Sequence, residues 1–346
     1  MMQFEDTQLI DLVLHRVGRK SEEEVISFSK TPLDLSGKLE FILLKYFLSS
    51  FKSEEYYNFY HESDIAMNEV FVYVSSVFEN PGNIYEQSVN LAKHLYEKSV
   101  HPKIKSGEFY TAYFKNCAIG GITADAVGLF KSENKDTFLK VHSFNDGFEL
   151  ESDNGVNINK LDKGCLIFNV EKENGYIVAV VDNTNKGTDA QYWIDDFLHV
   201  RQRKDEYYNT SNVLTLCKNF VTNEFPQQFD VSKADQIDLL NKSVKFFREK
   251  DNFDMNDFTN EVIAQPEVIQ SFNQYKQDYQ KEQEIEFSDN FAISGSAVKK
   301  QSRVFKSVIK LDKNFHIYVH GNRALIEQGV DDIGRKFYKI YYEEES

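Results

Sequence analysis

Cysteine is scarce in this chain of 346 residues: three, at positions 117, 165 and 217, an odd count with no Cys-x-x-Cys pair. That spacing argues against a disulfide framework and against a thiolate zinc site, and it points to a reducing compartment. Cys165 in GCLIFNV and Cys217 in VLTLCKNFV read as small core residues. Long apolar runs are missing too. FILLKYFL at 41–48 and YIVAVV at 176–181 fall far short of the ~20 residues that span a bilayer, and Lys45 interrupts the first. The opening MMQFEDTQ lacks the basic-then-apolar pattern of a secretory signal. The expectation is a cytoplasmic protein with no membrane partner. Arginine is rare, 8 residues against 32 lysines, which favours diffuse hydrated positive charge over the planar fork of bidentate recognition. There is no Gly-x-Ser-x-Gly elbow, and GGITADAVG at 120–128 has no phosphate-loop order.

What is present is ample core material and acid. Hydrophobic residues make up 41% and aromatics 14%, which argues against wholesale disorder. The length allows two domains. With 55 acidic and 40 basic residues the formal net charge is −15. Such a chain repels nucleic acid at long range, so DNA contact requires a local basic patch.

The period of the apolar residues divides the chain. DLVLHRV at 11–17 alternates as a strand and VISFSK at 25–30 can pair with it. LSGKLEFILLKYFLSSF at 35–51 has helical spacing with Ser36 as a cap, and NEVFVYVSSVFENPGN breaks at Pro81-Gly82. IYEQSVNLAKHLYEKSV at 84–100 is amphipathic, with Val89, Ala92, Leu95 and Tyr96 on the apolar face. From 107 the period becomes two: GEFYTAYF, ADAVGLF, TFLKVHSF, GFELES, GCLIFNVE and GYIVAVVDN read as short strands joined as hairpins, with tight turns at SENKD and KENG. QYWIDDFLHV, SNVLTLCKNFV and three segments over 231–284 read as helices, and SVIKL, FHIYVHG and KFYKIYY as strands. The fold class is therefore α+β: a helical N-terminal part, a central antiparallel sheet of hairpins, a second helical segment and C-terminal β-strands. The expected domains are 1–225 (helices to about 105, antiparallel strands 107–200) and 226–346, with the junction near Pro226 and the last strands free to rejoin the central sheet.

The charge is not evenly spread. Residues 299–323 hold Lys299, Lys300, Arg303, Lys306, Lys310, Lys313 and Arg323 against Asp312 alone. With 305–311 and 315–321 as two strands, alternation puts Phe305, Ile309, Leu311, Phe315, Ile317 and Val319 on one face. Lys306, Lys310, His316, Tyr318 and His320 take the other. Lysines, imidazoles and a phenol on one surface suit a phosphate backbone. A wet polar face with lysines is also the ordinary state of an antiparallel hairpin. HIYVH is not a metal pair, because strand residues four apart lie roughly 13 Å from each other. A second basic segment carries Lys93, Lys98, Lys103 and Lys105, and a third is HVRQRK at 199–204.

Two further patterns suggest metal chemistry. Asp125 followed by Glu133-Asn134-Lys135 has the skeleton of a metal-dependent nuclease, two carboxylates for Mg²⁺ and a lysine for water. Here Glu-x-Lys falls in the polar turn SENKD rather than in an apolar strand. Asp182, Asn183, Asn185 and Asp189 could meet a divalent ion, but Thr184 and Lys186 stand where a calcium loop needs ligands, so a strand-end turn fits better. No catalytic constellation and no cofactor follow.

Several stretches, in this order, carry a resemblance: LVLHRVG (12–18), LAKHLYEKSVHPKIKSGEFY (91–110), GLFKSENKDTFLKV (128–141), LDKGCLIFN (161–169), VVDNTN (180–185), YWIDDFLHV (192–200) and VFKSVIKLDKNFHIYVHG (304–321). Together they resemble the bacterial 37-kDa nucleoid-associated proteins of the NdpA type, nearly end to end. The resemblance implies a non-enzymatic cytoplasmic protein that localises with the nucleoid. It makes the C-terminal hairpin the leading phosphate-contact candidate and the expected partner double-stranded DNA. The alternative is an adaptor that reaches the nucleoid through a DNA-handling protein, offering an acidic surface to a basic one.

Overall fold

The computed structural model describes residues 2–35, 37–184, 192–305, 308–319 and 323–344. The chain divides into two compact units, Met1–Arg203 and Lys204–Ser346. Ser36, Asn185, Lys186 and Asp189 fall outside the described residues.

The first unit is built on a nine-stranded antiparallel sheet. Its strands are β1 (Met2–Gln3), β2 (Gln8–Val17), β3 (Ser27–Phe28), β4 (Tyr56–Phe59), β5 (Gly107–Ile119) and β6 (Ile122–Ser132). After β7 (Asp136–Phe144) and β8 (Gly147–Gly155), which pair only with each other, the sheet resumes with β9 (Lys163–Phe168), β10 (Ile177–Asp182) and β11 (Val200–Gln202). The order is β11-β4-β10-β9-β6-β5-β2-β3, with β1 alongside β5. The β5–β6 hairpin turns on Gly120 and Gly121, both at positive φ (57° and 83°), the conformation that a type I′ hairpin turn demands of both central residues. At Gly175 the constraint is space as well: a Cβ there would stand 2.2 Å from the Phe59 carbonyl oxygen.

Alternation along the strands sends residues to two cores. Val127 and Leu129 of β6, Cys165 and Ile167 of β9 and Val178 of β10 face α2 (Glu69–Glu79) and α3 (Ile84–Lys98), with Trp193 and Phe197. Ala126, Phe130, Leu166 and Phe168 face α1 (Lys38–Leu48), where Phe47 stacks on Phe130 at 4.2 Å between ring centroids. Asn68 caps α2 by accepting the Phe71 N–H at 2.9 Å.

Several sequence expectations shift. The buried face of α3 is Ile84, Ser88, Leu91, Ala92 and Leu95, rotated from the expected face because Ser88 turns inward to bond a histidine. In QYWIDDFLHV the helical stretch is a single π-helical turn, Ile194–Leu198; Tyr192, Trp193 and Phe197 bury, while Asp195 and Asp196 are exposed. SENKD is not a hairpin turn: β6 pairs with β9, and the chain leaves the sheet there to make the β7–β8 ribbon. The aromatic, polar YYNF of β4 lacks clear alternation and was missed, yet it sits between β10 and β11.

The second unit packs α4 (Glu206–Asn219), α5 (Phe225–Gln228), α6 (Lys233–Glu249), α7 (Met255–Phe258) and α8 (Pro266–Glu282) around an aromatic core that includes Phe220, Phe246, Phe253, Phe258 and Phe272. Short strands β12 (Asn252–Asp254) and β13 (Asn290–Ala292) pair beside it, followed by α9 (Gly295–Gln301). A capping box between Ser232 and Asp235 starts α6. The junction read at Pro226 lies inside this core, because Phe225 is buried with Phe220, and the division of the chain falls earlier, after Arg203. The last strands, β14 (Val308–Leu311), β15 (Phe315–Tyr318), β16 (Ile326–Val330) and β17 (Lys336–Ile340), form two separate ribbons. They do not rejoin the large sheet: Ile309, Val319 and Ile326 bury against Ala234 and Ile237 of α6 instead.

His15 ties α3 to β2. It is 2% exposed; its Nε2 lies 2.9 Å from the Ser88 hydroxyl and its Nδ1 accepts the Ser29 N–H at 3.3 Å. An acceptor at Nδ1 fixes the neutral ring with its proton on Nε2. Burial pushes its pKa down from 6.5 to about 4. The neutral form is favoured in the fold, so the unfolded chain takes up the proton first as pH falls. Stability from this group is full above pH 6.5 and is lost toward pH 4, by about 3 kcal/mol at 1.36 kcal/mol per unit. Urea unfolding at pH 7, 5.5 and 4.5 should show that fall, and His15→Gln should flatten it. An unchanged slope in the variant would remove His15 as its source.

Candidate nucleic-acid interface and a buried ionic row

The β14–β15 ribbon pairs Val308 with Tyr318, Ile309 with Ile317, Lys310 with His316 and Leu311 with Phe315. The turn is 312–314. Ile309 and Val319 bury on α6 while Leu311 and Ile317 are half-buried, and Asn241 donates to the Val319 carbonyl at 3.3 Å. Phe315, expected on the same apolar face, is 62% exposed. On the other face Lys310, His316 and Tyr318 are exposed, with Lys313 exposed at the turn. Directly opposed residues stand about 5 Å apart at Cβ, so Lys310 and His316 offer one compact donor pair.

The remaining C-terminal candidates divide. Lys299 and Lys300 end α9, and Arg303 follows in a short 3-10 turn; all three are exposed. The Lys300 ammonium sits 5.6 Å from the Tyr207 ring centroid. Arg323 is engaged in the fold. Its Nε donates to Asp235 at 2.7 Å, and its Nη1 bonds the Ile326 carbonyl. It holds β16 against the start of α6 and is not free for a phosphate. Lys306 and His320 lie outside the described residues.

The Lys93–Lys105 segment belongs to the first unit. Lys93, Lys103 and Lys105 are exposed and Lys98 is half-buried. Lys105 donates to the Asn134 side chain at 2.7 Å. His94 faces inward, 3.1 Å from the Phe197 carbonyl, and burial lowers its pKa. In HVRQRK, Arg203 forks onto Glu171 at 2.8 and 2.9 Å, and Arg201 lies 5.3 Å from the Tyr60 ring centroid. The basic ribbon and the Lys93–Lys105 segment are thus in different units.

The nuclease constellation does not assemble. Asp125 and Glu133 lie eight residues apart along β6 and just beyond it, roughly 25 Å at ~3.3 Å per residue. Asp125 accepts the Tyr113 hydroxyl at 2.5 Å, and Lys135 pairs with Glu108 at 2.6 Å. One metal cannot reach both carboxylates. Among the described residues no group of three or more His, Cys, Asp or Glu is placed to hold a metal ion.

Glu133 belongs to something the sequence reading missed. Lys131 of β6 is directly opposite Lys163 of β9, which is opposite Asp182 of β10. Both lysine side chains are 0% exposed. The Lys131 ammonium donates to the Lys105 carbonyl at 2.7 Å, Glu133 at 2.9 Å and the Tyr192 hydroxyl at 3.1 Å, which uses all three of its protons. Lys163 donates to Asp182 and to the Thr184 hydroxyl, both at 2.6 Å. The Tyr192 ring lies 5.4 Å from one ammonium and 5.2 Å from the other, and its hydroxyl donates to Glu133 at 2.7 Å. Burial lowers the Lys131 pKa, with the Glu133 charge opposing the shift, and it raises the Tyr192 phenol well above its usual value. Below the row, Asp162 accepts the Glu133 and Asn134 N–H groups at 2.7 and 2.8 Å and the Asn134 amide at 2.9 Å. Parity was the available signal: Lys131 is in phase with Val127 and Leu129, and Lys163 with Cys165 and Ile167.

The family model for nucleoid-associated protein YejK matches residues 13–335. No curated protein matches the chain.

The buried row makes a direct prediction. Removing one partner of a buried pair strands the other charge, at about 3–5 kcal/mol. Glu133→Ala should lower unfolding stability by that amount in urea titration. Lys135→Ala, which breaks only an exposed pair, should cost below about 1 kcal/mol. Equal effects would contradict the burial.

Proposed function

The chain belongs to the nucleoid-associated protein family, and on that premise we propose a non-enzymatic, nucleoid-organising module that contacts duplex DNA directly. The contact surface is the lysine face of the β14–β15 ribbon, Lys310, Lys313, His316 and Tyr318, with Lys299, Lys300 and Arg303 at the end of α9. The observation that carries this reading is the segregation of that ribbon. Ile309 and Val319 of its apolar side bury on α6, and the opposite side holds exposed cations while Asp312 is the only acid from 299 to 323. Lysine-rich contacts of this kind read phosphate rather than base edges. Binding is therefore sequence-tolerant. Lys93, Lys98 and Lys103 supply a separate, weaker contact in the first unit.

The net charge of −15 favours a second reading, in which the chain reaches the nucleoid through a basic DNA-handling protein. Lys310→Glu with Lys313→Glu separates the two. Both residues are exposed, so the fold should persist. Direct contact predicts at least a tenfold loss of duplex affinity at fixed salt, equal across unrelated sequences, in electrophoretic mobility shift. Unchanged affinity would take the ribbon out of the site. A wild-type chain that binds no DNA, yet is retained on nucleoid protein, would support the adaptor.

A further inference from the structure

The β7–β8 ribbon leaves the large sheet and pairs with nothing else among the described residues. Its register, Leu139 to Ser152, Val141 to Leu150 and Ser143 to Phe148 on one face, makes it two-sided. On the other face charged groups stand between the rings: Lys140 pairs with Asp153 at 2.6 Å, His142 lies 3.5 Å from Glu151, and Phe138, which covers Gly155, and Phe144 are 44% and 60% exposed. The first face carries no charge at all. Leu139, Val141, Leu150 and Phe148 stand 67%, 63%, 66% and 80% exposed. Thr137 and Asn154, bonded to each other at 2.8 Å, with Ser143 and Ser152, make an uncharged polar rim.

We propose that this face is the contact surface for a second copy of the chain, two ribbons packing face to face about a two-fold axis. Three observations commit to that occupant. An isolated two-stranded ribbon is marginal in water, and pairing two of them closes a small two-layer sandwich. An apolar centre with an uncharged rim is interface composition, and the four side chains of each copy together remove on the order of 1,000 Å² from water, the size at which specific interfaces begin. The charge pattern also selects the partner. Glu149, Glu151 and Asp153 point to the opposite face, so two acidic chains meet here without repulsion, whereas a basic protein or a nucleic acid finds no charge to read. The two-fold axis makes the contact isologous and closed.

Sedimentation equilibrium of the full chain at tens of micromolar tests this. The expected mass is twice the 40.3 kDa of one chain. Val141→Lys with Leu150→Lys should halve it, while Glu149→Gln with Glu151→Gln on the other face should not. The three native cysteines are buried, so Val141→Cys should give an intermolecular disulfide under mild oxidation, a readout that survives any misfolding of the double-lysine variant. A single-chain mass for the wild type, a dimer that persists in a folded Val141→Lys/Leu150→Lys variant, or a Val141→Cys chain that does not cross-link would each overturn the proposal.

Discussion

The row Lys131–Lys163–Asp182, laid across three neighbouring strands under the Tyr192 ring, fixes the first unit's sheet in one register. An apolar strand can slip by one residue and still bury apolar side chains. A strand with a lysine in phase with its core residues cannot. A slip of β9 by one position would turn Lys163 away from Asp182 and toward the rings of Phe130 and Phe47. The same row anchors the turn at 133–134 through Asp162 and holds Tyr192 over the sheet, so strand order, turn and the start of the 192–200 segment depend on a few buried charges.

That constraint gives the sequence resemblance a physical content. Stretches that carry it supply the row piece by piece: the Lys105 carbonyl, Lys131 with Glu133, Asp162 with Lys163, Asp182 with Thr184, and Tyr192. Their shared chemistry is construction of the sheet. The C-terminal stretch differs, since Lys310 and Lys313 face water. Lysine therefore has two roles here, structural in the buried row and, in the proposed reading, phosphate-contacting on the surface. Depth of burial separates them.

Much of the architecture was legible because period is a local property. The switch from helical spacing to alternation near 107, the long β5 and β6, and α6 and α8 all follow from side-chain phase. The C-terminal hairpin was also legible to its turn, since Ile309 and Val319 needed a surface and α6 provides it. What local pattern could not give was pairing. Nothing in SENKD says that β6 will take β9 as its neighbour, and nothing in YYNF marks an inner strand. The role of Arg323 was hidden for the same reason: its partner Asp235 is 88 residues away. Lys131 and Lys163 escaped notice because their charge outweighed their phase.

The central functional claim is that an acidic chain reaches DNA through a small exposed cluster of lysines. Fluorescence anisotropy of the purified protein with duplex DNA, titrated across salt, tests it most directly. The account predicts saturable binding whose log K falls linearly with log salt concentration, at ~0.9 per phosphate neutralised, with a slope set by a handful of contacts. Binding that is absent at low salt, or that does not respond to salt, would contradict it.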